Sequence, residues 1–488
     1  MRVLFVSSEV SPFSKTGGLA DVSGALPGAL VRAGADVRVV TPLYRGVREG
    51  GWALEPAGVC EVPGPAGGEV ATVFSATLPS GPQVWFVDHP RYFDRPGLYG
   101  ERGQDYPDNL ERFSFFCRAV LGWIRTCGWQ PDLVHCNDWQ AALVPVYMRT
   151  VEASHWDRVG TVLTVHNLAY QGLFGADQFP GLGLPPDLFS PRYLEFWGRV
   201  NVLKGGLVFA DVLTTVSETY AREIQTEEFG CGLEGVLRER SADLYGILNG
   251  ADYSVWDPRH DPHIPARYGP EDLSGKAVCK AALQREMGLR ADADVLLFGM
   301  VSRLVEQKGV DLVVACVDRM VQAGAQLAVL GTGDPKLEAA LLRAAEAHPG
   351  AVGVRIGFDE RLAHWIEAGS DAFLMPSRYE PSGLNQLYSL RYGTVPVVRR
   401  TGGLADSVVD ATPEALARGE ANGFVFEAYS PDALWEAVAR ALATYRDRET
   451  WLRLVRSGMA ADFSWDRAAG RYVELYRLAV AKRRAVPS

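Results

Sequence analysis

The chain is poor in the residues that would signal metal or disulfide chemistry. Its seven cysteines (Cys60, Cys117, Cys127, Cys136, Cys231, Cys279 and Cys316) are odd in number, scattered and never spaced as CxxC. That usage argues against a disulfide scaffold or a cysteine zinc site and for a reduced, cytoplasmic protein. Among the eight histidines, His260 and His263 stand beside Asp257 and Asp261 in a linker rich in Pro, Gly and Asp, so no metal site is expected. No apolar run approaches the roughly 20 residues of a membrane span, which argues against a membrane partner. The opening "MRVLFVSSEV" turns polar too soon for a signal peptide. Blocks of like charge are also missing. Lys and Arg number 49 against 59 Asp and Glu, a net charge of −10, so a nucleic-acid partner is not expected. GxSxG, the P-loop and GxGxxG do not occur, which removes the common nucleophile-elbow and dinucleotide signatures.

What the chain does contain is alternation. At 488 residues it exceeds one ordinary core, so two domains are expected. "RVLFVSSE", "ADVRVVTP", "VWFVDH", "DLVHCN", "GTVLTVHN" and "DVLTTVS" read as buried strands. Helical stretches lie between them, "LADVSGALPGALVRAG", 109–127 and 192–209 among them. Val- and Leu-rich runs of this kind predict a parallel sheet covered on both faces. The rhythm breaks at "YGILNGADYSVWDPRHDPHIPARYGP" and restarts with "VLLFGMVSRL", "QLAVLGTGD", "VRIGF", "DAFLMPS", "TVPVVRRTGG" and "GFVFE". The reading is α/β, two doubly wound Rossmann-like domains at 1–250 and 251–463, with 464–488 as a terminal helix.

One phrase occurs twice. "KTGGLADV" begins at Lys15 and "RTGGLADS" at Arg400, each after a strand and at the opening of a helix. In an open α/β sheet, ligands collect beyond the carboxyl ends of the strands. Glycines there permit a tight turn and close approach to backbone N–H groups. One such turn per domain predicts two sheets facing a common cleft.

Other candidates sit at strand ends. Arg303 and Lys308 in "SRLVEQKG" would suit a diphosphate, Arg by paired hydrogen bonds and Lys as a point charge. Glu380 precedes Pro381, Ser382 and Gly383 at an expected helix N-terminus, where backbone N–H groups favour an anion. A carboxylate there would serve a sugar hydroxyl or developing positive charge. His166 and Asn167 end the strand "GTVLTVHN" and read as sugar contacts or an acid/base. Asp138 in "NDWQ" reads either as a site residue or as a helix N-cap.

Together these motifs resemble the bacterial glycogen synthases and plant starch synthases, retaining GT-B glycosyltransferases. "KTGGLADV", "VHNLAYQG", "LNG", "VSRLVEQKG", "GTGDP", "PSRYEPSGLNQLYSLRYGTVPVVRRTGGLADS" and "DFSW" carry the likeness along essentially the whole chain. The resemblance implies a nucleoside diphosphate glucose donor, ADP-glucose in the bacterial branch with UDP-glucose as the alternative, and glucose added by an α-1,4 bond to the non-reducing end of a glucan such as glycogen. A non-catalytic glucan-binding relative is the other alternative. The resemblance implies no cofactor, since no pyridoxal phosphate motif of a glucan phosphorylase is present. Carried over, Lys15 approaches the donor's phosphate and sugar, Arg303 and Lys308 neutralise the departing diphosphate, and Glu380 lies near the glucose. His166 contacts the transferred sugar, Asn249 lines the cleft near the hinge, and Phe358 stacks on the base. Gly402 and Gly403 offer N–H groups near phosphate or glucose. Gly17, Gly18, Asp21, Asp138, Asn167, Ser382, Gly383, Leu384 and Thr401 complete the expected substrate-binding set. The terminal helix is implied to cross back onto the first domain. Ser382 stands where many bacterial relatives have Cys. Tyr388 stands where the wider group places a second Glu, which fits the glycogen and starch synthase branch.

Overall fold

The computed structural model describes residues 1–64 and 67–485. The chain forms two compact units, Met1–Gly250 with Trp465–Ser488, and Ala251–Ser464. The last three residues of the expected terminal segment lie outside the described residues.

The first unit is built on nine strands. Their order is Leu244–Gly246, Val212–Thr215, Gly160–Val165, Leu133–Asn137, Arg2–Val6, Asp36–Pro42, Gln83–Asp88, Glu69–Thr77, Glu55–Val62. Seven pair in parallel, and in the centre they are almost wholly buried, as Val3 to Val6 and Leu133 to Asn137 illustrate. Continuous apolar runs are what a sheet covered on both faces requires. The strands read from the sequence are parallel, and two strands the sequence reading did not name, Glu69–Thr77 and Glu55–Val62, extend the sheet antiparallel at one edge. There burial alternates residue by residue, with Ala71, Val73 and Ser75 inside, as one wet face dictates.

Helix Gly18–Arg32 and helix Trp465–Ala485 pack side by side on this unit. The terminal helix is fixed by polar as well as apolar contacts. The Tyr476 hydroxyl lies 2.7 Å from His135 Nδ1, and His135 Nε2 lies 2.6 Å from Thr164 Oγ1. Arg32 pairs with Asp466 at 2.7 Å and Arg471 with Glu218 at 2.9 Å. The helix backbone also comes so close to the sheet that a Cβ on Gly160 would lie 3.0 Å from the Val480 nitrogen.

The expected helix over 192–209 is corrected. Only Val202–Phe209 is helical. Before it, Glu195–Phe196 and Arg199–Asn201 form a hairpin whose tip, Trp197 and Gly198, has positive φ at both residues. The Glu195 carboxylate accepts the Gly198 N–H at 2.6 Å, a local bond that competes with helix.

The second unit holds a six-stranded sheet, parallel throughout. Its order is Val352–Ile356, Gln326–Gly331, Leu297–Val301, Ala372–Met375, Val395–Arg399, Phe424–Phe426. The linker's acidic residues anchor it to this unit. Asp257 pairs with Arg391, and Asp261 lies 2.7 Å from His364 Nδ1 and accepts the Tyr392 hydroxyl at 2.6 Å.

Candidate functional site

Each sheet has one point at which the chain, having added strands on one side, crosses to the other. In an open α/β sheet the carboxyl ends of the two strands at such a point are where ligands bind. In the second unit the crossing lies between Leu297–Val301 and Ala372–Met375. Arg303 and Lys308 follow the first of these strands and Glu380 follows the second.

The two loops are locked together. Gly309, with φ +73°, backs so closely onto the other loop that a Cβ would lie 2.1 Å from the Pro376 carbonyl oxygen. The Arg378 N–H donates to the Gln307 carbonyl at 2.9 Å, and Asn385 Nδ2 to the Val301 carbonyl at 2.7 Å. Lys308 Nζ thereby reaches Glu380 Oε2 at 2.6 Å, and Ser377 Oγ donates to the same oxygen at 3.0 Å. The Glu380 side chain is only 6% exposed. Removing one partner of so buried a pair leaves an uncompensated charge, which typically costs about 3–5 kcal/mol.

The second glycine turn completes this region from behind. The Gly403 N–H donates to the carbonyls of Glu380 (3.1 Å) and Pro381 (3.2 Å). A Cβ on Gly402 would lie 1.8 Å from the Glu380 oxygen, and one on Gly403 1.9 Å from that of Ser382. The expectation that Gly403 presents its N–H to a ligand is therefore corrected, because the turn is a clamp on the Glu380–Ser382 backbone. The expected helix N-terminus at Glu380 is corrected as well, since the helix begins at Asn385 and spans only Asn385–Arg391. Leu384 is its half-buried N-cap, Gly383 takes φ +69°, and Thr401 is buried at the start of Gly402–Ser407. Ser382 Oγ is buried with no hydrogen-bond partner among the described residues. Arg303 is exposed and donates to Gln307 Oε1 at 3.3 Å. Phe358 stands 89% exposed after the edge strand Val352–Ile356, two strands away from Leu297–Val301.

In the first unit the crossing lies between Arg2–Val6 and Leu133–Asn137. Asn137 spans it, with Nδ2 donating to the Val6 carbonyl at 3.0 Å and Oδ1 2.9 Å from His166 Nε2. An amide whose NH₂ is committed can only accept through its oxygen, so neutral His166 carries its proton on Nε2 and leaves Nδ1 as an acceptor. Burial holds its imidazole well below the ordinary range, to about 3. That makes His166 a neutral hydrogen-bonding group at pH 7 rather than a proton donor.

Asp138 is not the N-cap of a helix. It sits at φ +57°, and its carboxylate accepts the backbone N–H of His166 at 2.7 Å. Burial pushes its carboxyl up to about 7; nearby Glu9 adds to the rise, while the N–H groups of His166 and Asn167 oppose it. Asn167 Oδ1 accepts the Ala169 N–H at 3.0 Å, so this side chain holds its own turn.

Around the first glycine turn the organising group is one that strand-end reasoning missed. Glu9 is 4% exposed, and its carboxylate accepts the Thr16 N–H (2.5 Å), the Thr16 hydroxyl (2.6 Å), the Gly17 N–H (3.2 Å) and the Tyr99 hydroxyl (2.7 Å). Lys15 Nζ pairs with Asp21 at 2.7 Å, and its side chain is 52% exposed. A Cβ on Gly17 or Gly18 would meet nothing within 4 Å, so this turn faces open space. Asn249 is buried near the end of the unit with its Oδ1 unpartnered among the described residues. Glu9 was discoverable, because it follows the first strand as Asp138 follows another; Tyr99, 90 positions further along, was not.

Residues 2–239 match the family described as the starch synthase catalytic domain, and residues 287–454 match glycosyl transferases group 1. Glycogen synthase 1 of Methylococcus capsulatus is 51% identical over 99% of this chain and 97% of its own. The glycogen synthase of Anaeromyxobacter dehalogenans is 52% identical, covering 98% and 99%. Among solved structures, the catalytic domain of Starch Synthase IV from Arabidopsis thaliana, bound to ADP and acarbose, aligns with a TM-score of 0.89 and 35% identity over 98% and 99% of the two chains. Sucrose-phosphate synthase from Thermosynechococcus elongatus shares the fold alone, with a TM-score of 0.60 and 18% identity over 98% and 99%. Full-length identity near one half, carried on two doubly wound units, shows that the chain belongs to the bacterial glycogen synthase and starch synthase family and is a GT-B glycosyltransferase.

Proposed function

We propose that the protein transfers glucose from ADP-glucose to the non-reducing end of an α-1,4-glucan, with retention at the anomeric carbon and release of ADP. The observation that carries this reading is the Lys308–Glu380 pair at the crossing point of the second sheet. A diphosphate arriving at Lys308 competes for the ammonium and frees the Glu380 carboxylate. That carboxylate then holds the glucose hydroxyls and stabilises the positive charge that grows as the anomeric bond breaks. Arg303, exposed beside it, closes on the same diphosphate. Ser382 Oγ and Asn249 Oδ1, both buried without partners, are groups whose cost ligand contacts would relieve.

A double displacement needs a carboxylate nucleophile beneath the ring, and no motif of the sequence marks one, while the family resemblance favours substitution on one face. The reaction is therefore read as a front-face substitution. The bond from the anomeric carbon to the phosphate oxygen breaks, the bond to the acceptor O4 forms on the same face, and the acceptor's proton passes to the departing phosphate oxygen. Neutral His166 orients the sugar and takes no net proton. Lys15, half-exposed at the open turn, adds charge to the donor's phosphates, and Phe358 covers its base. No helix among the described residues is long and apolar enough to cross a membrane, and a cytoplasmic location is part of the same reading.

Release of nucleoside diphosphate is measured from ADP-glucose and from UDP-glucose, each with and without glycogen. Glycogen-dependent release from ADP-glucose alone is expected. Release from UDP-glucose alone reassigns the donor, and release from neither overturns the reading.

A further inference from the structure

Apart from Phe358, the large apolar side chain most exposed away from both crossing points is Trp197, at 85%. It belongs to the segment that leaves strand Gly160–Val165 directly after His166 and folds into a small antiparallel sheet, order Leu173–Gly175, Arg199–Asn201, Glu195–Phe196. Trp197 (φ +51°) and Gly198 (φ +77°) form its two-residue tip. Two positive φ angles in such a turn favour Asn-Gly, and a bulky residue at the first position is strained.

The strained tip is nevertheless rigidly built. The Glu195 carboxylate accepts the Gly198 N–H at 2.6 Å. Lys204 is 5% exposed and donates to the carbonyls of Glu195 (2.6 Å) and Pro191 (2.5 Å). Phe196 lies over Gly232, where a Cβ would come within 2.8 Å of its ring. The indole meets Phe196 edge-on at a centroid distance of 6.3 Å and is otherwise held out into water by a hairpin fixed on three sides, a strained placement of the kind that clusters at ligand sites.

The base of the same sheet lies against the candidate site of this unit. Gly172 sits on the Trp139 ring, where a Cβ would lie 2.5 Å away, and Phe174 contacts that ring at a centroid distance of 5.6 Å. Trp139 is the residue after Asp138. Phe174 pairs with Val200, three residues from Trp197. At about 3.4 Å per residue, the backbone of the hairpin tip lies within about 10 Å of Val200, the partner of Phe174. A strip therefore runs from Asp138 and His166 to an exposed aromatic face.

We propose that Trp197 is a stacking platform for a sugar ring of the α-glucan acceptor, several residues back from its reacting end. The glucan follows from the transferase reading above. The chemistry follows from the side chain, since a pyranose presents a patch of C–H groups to an aromatic face and only a polymer spans the strip. Trp197→Ala is expected to raise the half-saturating concentration of maltoheptaose and of glycogen about 3- to 10-fold. The ADP-glucose KM, the kcat at saturating glucan and the half-saturation for maltose should stay within about twofold. Trp197→Phe should recover most of the loss.

Equal loss with maltose and maltoheptaose, or no change with either, overturns the proposal. Titrating maltoheptaose without donor reads it independently of turnover, because Trp197 fluorescence should shift in the parent protein and not in Trp197→Phe. An enzyme that transfers nothing yet shows this shift loses the transferase reading and keeps the glucan platform. Sedimentation that reveals self-association abolished by Trp197→Ala, with unchanged glucan titration, assigns the indole to a protein contact and sinks the proposal.

Discussion

The octapeptides KTGGLADV and RTGGLADS differ only at their first and last residues, yet they meet opposite surroundings. At Lys15–Val22 the Glu9 carboxylate grips the turn from within by two N–H groups and a hydroxyl, and the glycines face open space. At Arg400–Ser407 the glycines are pressed onto the carbonyls of Glu380 and Ser382, and the leading cation pairs with Glu427 at 2.5 Å. The same phrase thus leaves open space in one unit and fixes the Glu380–Ser382 loop in the other. Local sequence sets the turn; the neighbours decide what the turn is for.

That contrast can be broken at several strengths. The largest effect is expected from Gly402→Ala. Its Cβ would collide with the Glu380 carbonyl at 1.8 Å in a backbone of φ +45°, so thermal unfolding should show a loss of more than about 4 kcal/mol or no folded second unit. A variant melting like the parent would deny the clamp.

Next comes Glu380→Ala. It should lower kcat about 10²- to 10³-fold while the ADP-glucose KM moves only a few-fold. A large rise in KM at unchanged kcat would reduce Glu380 to a ground-state contact. Glu9→Gln should then loosen the first turn, lowering stability by about 1.5–3 kcal/mol as a charged acceptor of four hydrogen bonds becomes neutral. Urea titration alongside the ADP-glucose KM would show whether Lys15 is displaced with it.

A smaller, pH-dependent effect is expected at His135. Burial holds its imidazole down to about 3, against 6.5 ordinarily. Below about 6.5 the unfolded chain binds a proton that the folded chain refuses. The neutral ring's contribution is thus complete above pH 6.5 and is lost as pH falls toward 3, at up to about 1.4 kcal/mol per unit. Unfolding free energies of His135→Gln should fall less steeply between pH 6.5 and 5 than those of the parent, and parallel slopes would place a proton on the buried ring. The smallest change in stability belongs to Gly17→Ala, within about 0.5 kcal/mol, because nothing lies near its Cβ. Its ADP-glucose KM should rise all the same.

Strand identity was legible because central strands carry unbroken apolar runs such as Val3–Val6, a pattern that propensity and burial both demand. The edge Glu55–Thr77 was not. Its alternation is diluted by exposed Val59 and Val70, and its pairing has no short-range signal. The segment 192–209 misled because its apolar spacing suits a helix, whereas Trp197 and Gly198 together make a turn that only their dihedrals reveal. Among site residues, Lys308 and Glu380 could be named from strand ends. Their direct pairing depends on Gly309 meeting Pro376, which no linear pattern encodes. Tyr99 on Glu9 is of the same kind, a partnership created only when the chain folds.

The return of helix Trp465–Ala485 to the first unit makes the second unit an insert in a single loop of the first. A Cβ on Gly250 would lie 2.6 Å from the Trp465 nitrogen, and the Ala251 N–H donates to the Phe463 carbonyl at 2.7 Å. The chain thus departs and re-enters at one doorway. A short linker from Gly250 to Trp465 would close the first unit into one continuous polypeptide, and a foreign unit whose ends lie equally close could be spliced into that doorway as a cassette.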